Sequence, residues 1–173
     1  MAEQLHHDNT VFIKNKFPII IICDQVNSPA NIGSIFRTAD SFGVSQIYFC
    51  GTDISVESKR MQRTARATHE IIPYQQKENI ISVIDTLISQ GYIVFGLEIT
   101  KNSVPISEYN FDPDSKIALI IGEEKNGISE EVLTKITQTV HINMYGINSS
   151  MNVATATGIA LYEITKQLAA RGD

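Results

Sequence analysis

The sequence predicts an α/β fold in which a mostly parallel sheet carries helices on both faces. Three observations lead to this fold class. Short runs of β-branched and aromatic residues alternate with longer segments of helical periodicity. The first of these runs is apolar at every position, as a strand covered on both faces requires. The alternation continues along the chain without an internal repeat or a low-complexity tract.

The first strand and helix carry the clearest signals. Residues 17–23 predict a buried strand, and a helix is expected directly after it. Ser28 can cap that helix, Pro29 suits its first turn and Gly43 is placed to end it. Apolar residues at helical spacing form its buried stripe: Ile32, Ile35, Phe36, Ala39 and Phe42.

The remaining elements follow in alternation. Further strands are predicted at residues 46–50, 92–97, 116–121 and 139–143. Helices are predicted over residues 56–66, 77–90, 129–136 and 152–170, and Gly91 is placed to end the second of these. A polar loop that contains Pro105 and Pro113 precedes the strand at 116–121.

Length and composition limit the possible classes of protein. A chain of 173 residues fits one domain over 1–173, with residues 1–16 as an N-terminal extension. The apolar run 19–23 is too short to cross a bilayer, and no basic start precedes an apolar stretch, so we expect a cytoplasmic protein without a membrane partner. Cys23 and Cys50 lie in separate apolar runs, and no two His residues have zinc-site spacing. We therefore expect buried reduced thiols and no metal.

The charge pattern leaves the question of a nucleic-acid partner open. The net charge of −5 argues mildly against such a partner, because phosphate binding depends on Lys and Arg. One segment is nevertheless basic, and three- and four-residue steps would align its cations along one helix face. A solvated helix face and an RNA-binding stripe are equally compatible with it. The basic stripe consists of Lys59, Arg60, Arg63 and Arg66.

Polar segments follow three of the predicted strands, at the sheet edge where open α/β folds bind ligands. The first segment covers residues 31–40 and contains Asn31 and Arg37. Arg37 lies between apolar Phe36 and Ala39, so we expect it to border the buried side of the helix. A solvated arginine is the simpler alternative.

The second polar segment, residues 122–129, resembles a phosphate loop only superficially. Gly127 is followed by Ile128 rather than Lys, and the carboxylates of Glu123 and Glu124 would repel a phosphate. A cationic ligand, or one rich in hydroxyls and amines, suits this loop better. The alternative is a tight turn whose glycines supply positive φ and whose acids favour the next helix.

The third polar segment, residues 143–152, joins the last strand to the last helix. Its small polar side chains can cap that helix or leave backbone amides free for a ligand. No GxGxxG sequence follows any predicted strand, which weakens a nicotinamide or flavin interpretation. Ser149 and Ser150 lack the His and Asp context of a nucleophile elbow, so a hydrolase has no support.

Three segments of the chain resemble, in this order, the three motifs of the SpoU (TrmH-like) branch of the SPOUT RNA methyltransferases. The segments are NIGSIFRTADSFG, LIIGEEKNGIS and INMYGINSSMNVATATGIALYE. The resemblance spans roughly residues 19–163. It implies a C-terminal deep trefoil knot that forms the S-adenosylmethionine pocket. It also implies a homodimer with the active site at or near the subunit interface, and methylation of a ribose 2′-oxygen in tRNA or rRNA.

The resemblance also implies roles for individual residues. The methyl donor is expected around Leu97, Gly122, Ile142 and Met151. The polar positions associated with catalysis are Asn31, Arg37, Glu124, Ser150 and Asn152. This chain departs from the family at Asn143, where Pro is common, and we expect the departure to loosen the turn into the pocket.

Two alternatives remain open from the sequence. Another SPOUT branch methylates a ring nitrogen of a base instead of a ribose oxygen. From a different class, the chain could be a catalytically silent RNA-binding protein that keeps the fold. The presence of Asn31, Arg37 and Glu124 together favours an enzyme.

Overall fold

The computed structural model describes residues 10, 12–52 and 54–170, and its strands meet in a single sheet. Every pairing between neighbouring strands of that sheet is parallel. The strands in chain order are β1 (Ile19–Asp24), β2 (Gln46–Cys50), β3 (Tyr74–Lys77), β4 (Tyr92–Leu97), β5 (Val104–Pro105), β6 (Lys116–Gly122) and β7 (Gln138–His141). Their order across the sheet is β3-β2-β1-β6-β4-β7-β5.

Helices connect the strands and cover both faces of the sheet. The side of β1 that carries Ile19 and Ile21 joins one hydrophobic cluster with residues of α1, α2 and α6. The side that carries Ile20 and Ile22 joins a second cluster with residues of α4 and α5. The predicted fold class is therefore confirmed. The helices are α1 (Pro29–Ser41), α2 (Lys59–Ala65), α3 (Thr68–Ile71), α4 (Ile80–Ser89), α5 (Glu130–Lys135) and α6 (Val153–Ala169).

The basic helix α2 is shorter than the predicted span of 56–66. It begins at Lys59 because the hydroxyl of Ser58 accepts a hydrogen bond from the Met61 amide at 3.2 Å. It ends at Ala65 because Arg66 adopts a left-handed backbone with φ of 48°. Arg66 thus lies just beyond the helix, so the prediction that all four cations share one helix face is wrong for this residue.

The prediction of a helix over 77–90 is wrong at its start. Helix α4 begins at Ile80, where the side chain of Asn79 accepts a hydrogen bond from the Ser82 amide at 2.9 Å. Lys77 instead ends the edge strand β3. This strand was not predicted, because its exposed YQQK sequence lacks the apolar alternation of a half-buried strand.

Other boundaries shift by a few residues. The strand predicted at 139–143 ends at His141, and β5 lies inside the segment expected to be a polar loop. Ser28 takes the N-cap position of α1, but its side chain makes no capping hydrogen bond, contrary to expectation. The trefoil knot stays a prediction of the family resemblance.

Close packing of α2 against α1 depends on Gly33. A Cβ atom at this position would lie 2.6 Å from the Met61 carbonyl oxygen and 2.9 Å from the Ala65 amide nitrogen. The absence of a side chain at Gly33 therefore lets the basic helix α2 pack directly on α1, the helix that carries Arg37.

Across the described ranges, no helix combines the length and the apolar composition needed to cross a membrane.

Candidate functional site

Three loops meet at the carboxyl edge of the sheet and enclose a cavity of about 560 Å³. The loops follow β4, β6 and β7, and the first turns of α6 complete the wall. Parallel strands end at the same edge of a sheet, which explains why segments so distant in sequence converge here. The cavity is lined by all four residues expected to bind the donor: Leu97, Gly122, Ile142 and Met151.

The wall between β4 and β6 is fixed by Glu98. Its carboxylate accepts hydrogen bonds from the Ile99 amide at 2.9 Å and from the Ile128 amide at 3.1 Å. The role of Glu98 was not predicted from the sequence. Its position directly after an apolar strand, at the sheet edge that binds ligands, was the signal available.

Two glycines allow the loop after β6 to fold back on itself. A Cβ atom at Gly122 would lie 2.1 Å from the Gly127 carbonyl carbon, which no real structure tolerates. Gly127 has a φ of 68°, and a Cβ atom there would also lie 2.3 Å from a carboxylate oxygen of Glu98. The loop is therefore a tight turn, as one of the two alternatives predicted, although only Gly127 and not Gly122 supplies a positive φ, and the turn forms one wall of the cavity.

A buried carboxylate fastens the far end of the same loop. Asp24 ends β1, is only 2% exposed, and accepts a hydrogen bond from the Ser129 amide at 2.8 Å. Ser129 is the N-cap residue of α5. Asp24 was also missed from the sequence, although an acid that directly follows a fully apolar strand marks the ligand edge of the sheet.

Asn152 joins polar residues from all three motifs. Its side-chain nitrogen donates to Asn31 Oδ1 at 2.9 Å and to Glu124 Oε1 at 3.0 Å. Its side-chain oxygen accepts from the amides of Ala154 and Thr155 and so caps α6. Asn31 is buried, whereas Asn152 and Glu124 are exposed, so the network runs from the interior of α1 to the surface. Three of the five expected catalytic residues are thus in direct contact.

Arg37 lies outside the Asn152 network. Its side chain is exposed, so the expectation that it borders the buried side of α1 is wrong. It lines an open groove of about 620 Å³ between α1 and α6, and Asn152 lines the same groove. Ser150 and Glu124 line the donor cavity instead. Within one chain the structure therefore separates Arg37 from the donor cavity, with Asn152 between them.

The basic stripe is fully available to a partner. Each of its four side chains is exposed, and none pairs with a carboxylate among the residues that the structure describes. Three of the cations project from α2, which packs on the Arg37 helix at Gly33. The remaining cation, Arg66, follows the helix in a left-handed conformation.

The two thiols are buried and free, as predicted. Burial raises the pKa of Cys23 well above its ordinary value. Burial, assisted by the nearby Asp24 carboxylate, raises the pKa of Cys50 from 9.0 to about 12. Both sulfurs therefore stay protonated at neutral pH. No group of three or more His, Cys, Asp or Glu side chains that could bind a metal ion occurs in residues 10, 12–52 and 54–170.

Comparison with known proteins agrees with these features. The SpoU rRNA Methylase family model matches residues 18–162. The chain is 26% identical over 172 residues to a tRNA (guanosine(18)-2'-O)-methyltransferase of Aquifex aeolicus (strain VF5), a match that covers 99% of this chain and 80% of the relative. It is 30% identical over 146 residues to the 23S rRNA (guanosine(2553)-2'-O)-methyltransferase RlmP of Bacillus subtilis (strain 168), covering 84% of this chain and 57% of the relative.

Solved structures show the same fold. The AdoMet-bound rRNA methyltransferase from Sinorhizobium meliloti superposes with a TM-score of 0.80 at 27% identity, covering 91% of this chain and 59% of that one. The chain thus spans less than two thirds of the length of both this protein and the Bacillus relative. The family match extends from β1 into α6 and includes all three motifs except the last residue of the third, Glu163. The chain belongs to the SpoU rRNA methylase family.

Proposed function

We propose that this chain transfers a methyl group from S-adenosylmethionine to a ribose 2′-hydroxyl of tRNA or rRNA. The observation that carries the proposal is the cavity at the carboxyl edge of the sheet, where all four expected donor residues meet beside the Asn152 network. The relatives support it, because those from Aquifex and Bacillus are named 2'-O-methyltransferases and the Sinorhizobium protein is AdoMet-bound.

The cavity fits the donor in size and chemistry. Its volume of about 560 Å³ lies within the usual range for small-molecule sites, about 300–1,000 Å³. Apolar Leu97, Ile142 and Met151 suit an adenine ring, and the carboxylates of Glu123 and Glu124 suit a ligand with positive charge. When bound, the donor supplies a methyl group already activated on a sulfonium.

The chain must then align the 2′-oxygen and stabilise the charge that develops on it. A guanidinium stays protonated in proteins, so Arg37 acts as an electrostatic anchor for the RNA phosphate and the developing alkoxide rather than as a base. The hydroxyl proton leaves to water or to a phosphate oxygen. Asn31, Ser150 and Asn152 orient the ribose, and Glu124 holds Asn152 in place.

A homodimer would complete this arrangement. The groove that contains Arg37 is also lined by Phe42, Ile159 and Tyr162, and the last two are exposed apolar side chains on α6. A second copy of the chain packed on this groove would cover them and bring Arg37 to a subunit interface beside the donor cavity. Light scattering should therefore give a dimer mass.

The double variant Ile159→Asp plus Tyr162→Asp should be monomeric. The matched control Ile88→Asp, which changes an exposed side chain on α4, should remain a dimer. An unchanged mass for the double variant would refute this interface.

RNA reaches the site across the basic stripe, whose exposed and unpaired cations suit phosphates.

The buried reduced thiols at Cys23 and Cys50 support a cytoplasmic enzyme. We also propose that residues 1–173 belong to one methyltransferase domain.

A methyl-transfer assay tests the function directly. Total RNA is incubated with the protein and radiolabelled S-adenosylmethionine, digested to nucleosides, and analysed for the position of the label. Label on the ribose supports the proposal, and label on a base assigns the chain to a base-methylating branch. RNA binding without transfer identifies a catalytically silent protein. Mapping 2′-O-methyl sites in cells with and without the protein then names the nucleotide.

A further inference from the structure

The loop between β7 and α6 exposes two large apolar side chains. Tyr145 is 95% exposed and Ile147 is fully exposed. Their neighbours Met144, Ser149 and Ser150 line the donor cavity, so the exposed pair stands at the rim of that cavity. Exposed apolar groups beside a ligand cavity indicate a surface that another molecule covers.

Tyr145 is a fully presented phenol ring at this rim, and among the described residues that line the cavity itself the one aromatic ring is the imidazole of His141, which is bonded to Ser103 and Asn143. No Phe or Tyr is among the residues that line the cavity. Between Phe111 and Tyr162 the sequence contains no other Phe, Tyr or Trp. Gly146, next to Tyr145, has no atom within 4 Å of where its Cβ would be, so the tip of the loop has open space around it.

We infer that Tyr145 stacks on the base of the nucleotide whose ribose is methylated. This inference rests on the proposed function. A ribose that reaches the donor cavity brings its own base to the rim, and proteins recognise such splayed-out bases by stacking them on aromatic side chains.

Charge decides which part of the nucleotide faces the loop. Three acids, Glu98, Glu123 and Glu124, line the donor cavity against one cation, Lys125, so its charged lining is negative on balance. Their carboxylates repel phosphate groups. The uncharged base therefore faces Tyr145, and the phosphates extend away from the cavity toward Arg37 and the basic stripe.

A second copy of the chain is the competing occupant of this rim. The groove that we assign to the dimer is lined by residues of α1 and α6 together with Phe42 and Asn152, and it includes neither Tyr145 nor Ile147. The two surfaces are therefore different, and a base remains the occupant that suits an isolated aromatic ring.

A fluorescence titration tests the stacking. The chain contains no Trp, so Tyr145→Trp introduces a single indole at the rim. Its emission should be that of a solvent-exposed indole and should be quenched when RNA from cells lacking the protein is added. The control Ile88→Trp, exposed on α4, should show no quenching. A blue-shifted emission that depends on protein concentration without RNA would overturn the inference, because the ring would then be covered by another copy.

Kinetics distinguish stacking from a general apolar contact. Tyr145→Ala should raise the KM for RNA about tenfold to a hundredfold, while the Kd for S-adenosylmethionine stays unchanged. Tyr145→Phe should restore the KM, and Tyr145→Leu should not. An unchanged KM in the Ala variant, or full restoration by Leu, would overturn the inference. A wild-type chain that methylates no RNA would instead refute the proposed function, and the fluorescence titration would still report stacking because it requires only binding.

Discussion

The side-chain amide of Asn152 donates a hydrogen bond to Asn31 at 2.9 Å and so joins the first and last motifs across 121 residues of sequence. The same nitrogen donates to Glu124, while the side-chain oxygen caps α6. One side chain therefore serves the polar network and the helix start at once, and substitutions can separate the two roles.

Asn152→Asp should fold like the wild type but lose methyl transfer. Asp keeps the oxygen that accepts the Ala154 and Thr155 amides, yet it cannot donate to Asn31 and adds a negative charge beside Glu124. Asn152→Ala should lose activity and also about 1–3 kcal/mol of stability, because the cap is removed and a buried acceptor loses its partner. Urea unfolding and the transfer assay check both variants. A fully active Asp variant would show that the amide donor is dispensable.

Gly122→Ala should abolish donor binding. The new Cβ would overlap the Gly127 backbone and push the loop out of the cavity wall. Gly146→Ala is the matched control, since nothing lies within 4 Å of its Cβ position. Calorimetry with S-adenosylmethionine should show wild-type affinity for the control and no binding for Gly122→Ala. Equal affinities would mean that the loop can move without harming the site.

Arg37→Ala should bind S-adenosylmethionine normally but lose methyl transfer by a hundredfold or more, of the order expected when one charge-stabilising donor is removed. The physical reason is that Arg37 lines the α1–α6 groove and not the donor cavity. Arg37→Lys should recover part of the rate, because the charge remains but the forked geometry is lost. If calorimetry shows that Arg37→Ala binds S-adenosylmethionine more weakly, Arg37 would instead be assigned to donor binding.

Arg60→Glu combined with Arg63→Glu should weaken RNA binding, because both cations are exposed on α2 without a described acidic partner. The slope of log Kd against log salt should fall by about 2 when two phosphate contacts are removed. Lys14→Glu combined with Lys101→Glu makes the same change in net charge at exposed positions elsewhere on the molecule and should have little effect. Filter binding over a range of salt concentrations measures both pairs. Equal losses would assign the effect to net charge alone.

Cys23 and Cys50 should resist Ellman's reagent at pH 8 in the folded protein and react rapidly in urea. Their pKa values are raised by burial, to about 12 for Cys50, so the reactive thiolate is scarce. Because the pKa of Cys50 is higher in the folded protein, its contribution to the free energy of unfolding is fully present below pH 9.0. That contribution is lost as the pH rises toward about 12. Rapid labelling without denaturant would indicate that the sheet opens locally.

The parts of the fold that could be predicted are those with a strong local signal. The apolar run of β1 and the amphipathic helix α1 follow from hydrophobic periodicity alone. The polar edge strand β3 and the two-residue β5 could not be predicted, because pairing with a neighbouring strand defines them and no sequence period does.

The candidate site also has features that could be predicted from the sequence and features that could not. The three polar segments could be located, because parallel strands deliver their following loops to one edge. That Asn152 reaches both Asn31 and Glu124 could not be predicted, since the contact depends on how distant loops pack. The exposure of Arg37 was mispredicted for a related reason: apolar neighbours on a helix do not show whether another helix covers the residue between them.

The start of α6 lies between two cavities and divides its residues between them. Met151, Val153 and Ala156 line the donor cavity, whereas Thr155 and Gly158 line the groove with Arg37. Each of these residues thus lines only one of the two cavities, so residues on the groove side can be substituted while those on the donor side stay unchanged. A lineage can therefore adapt the groove to another RNA or another subunit partner and keep its source of methyl groups intact.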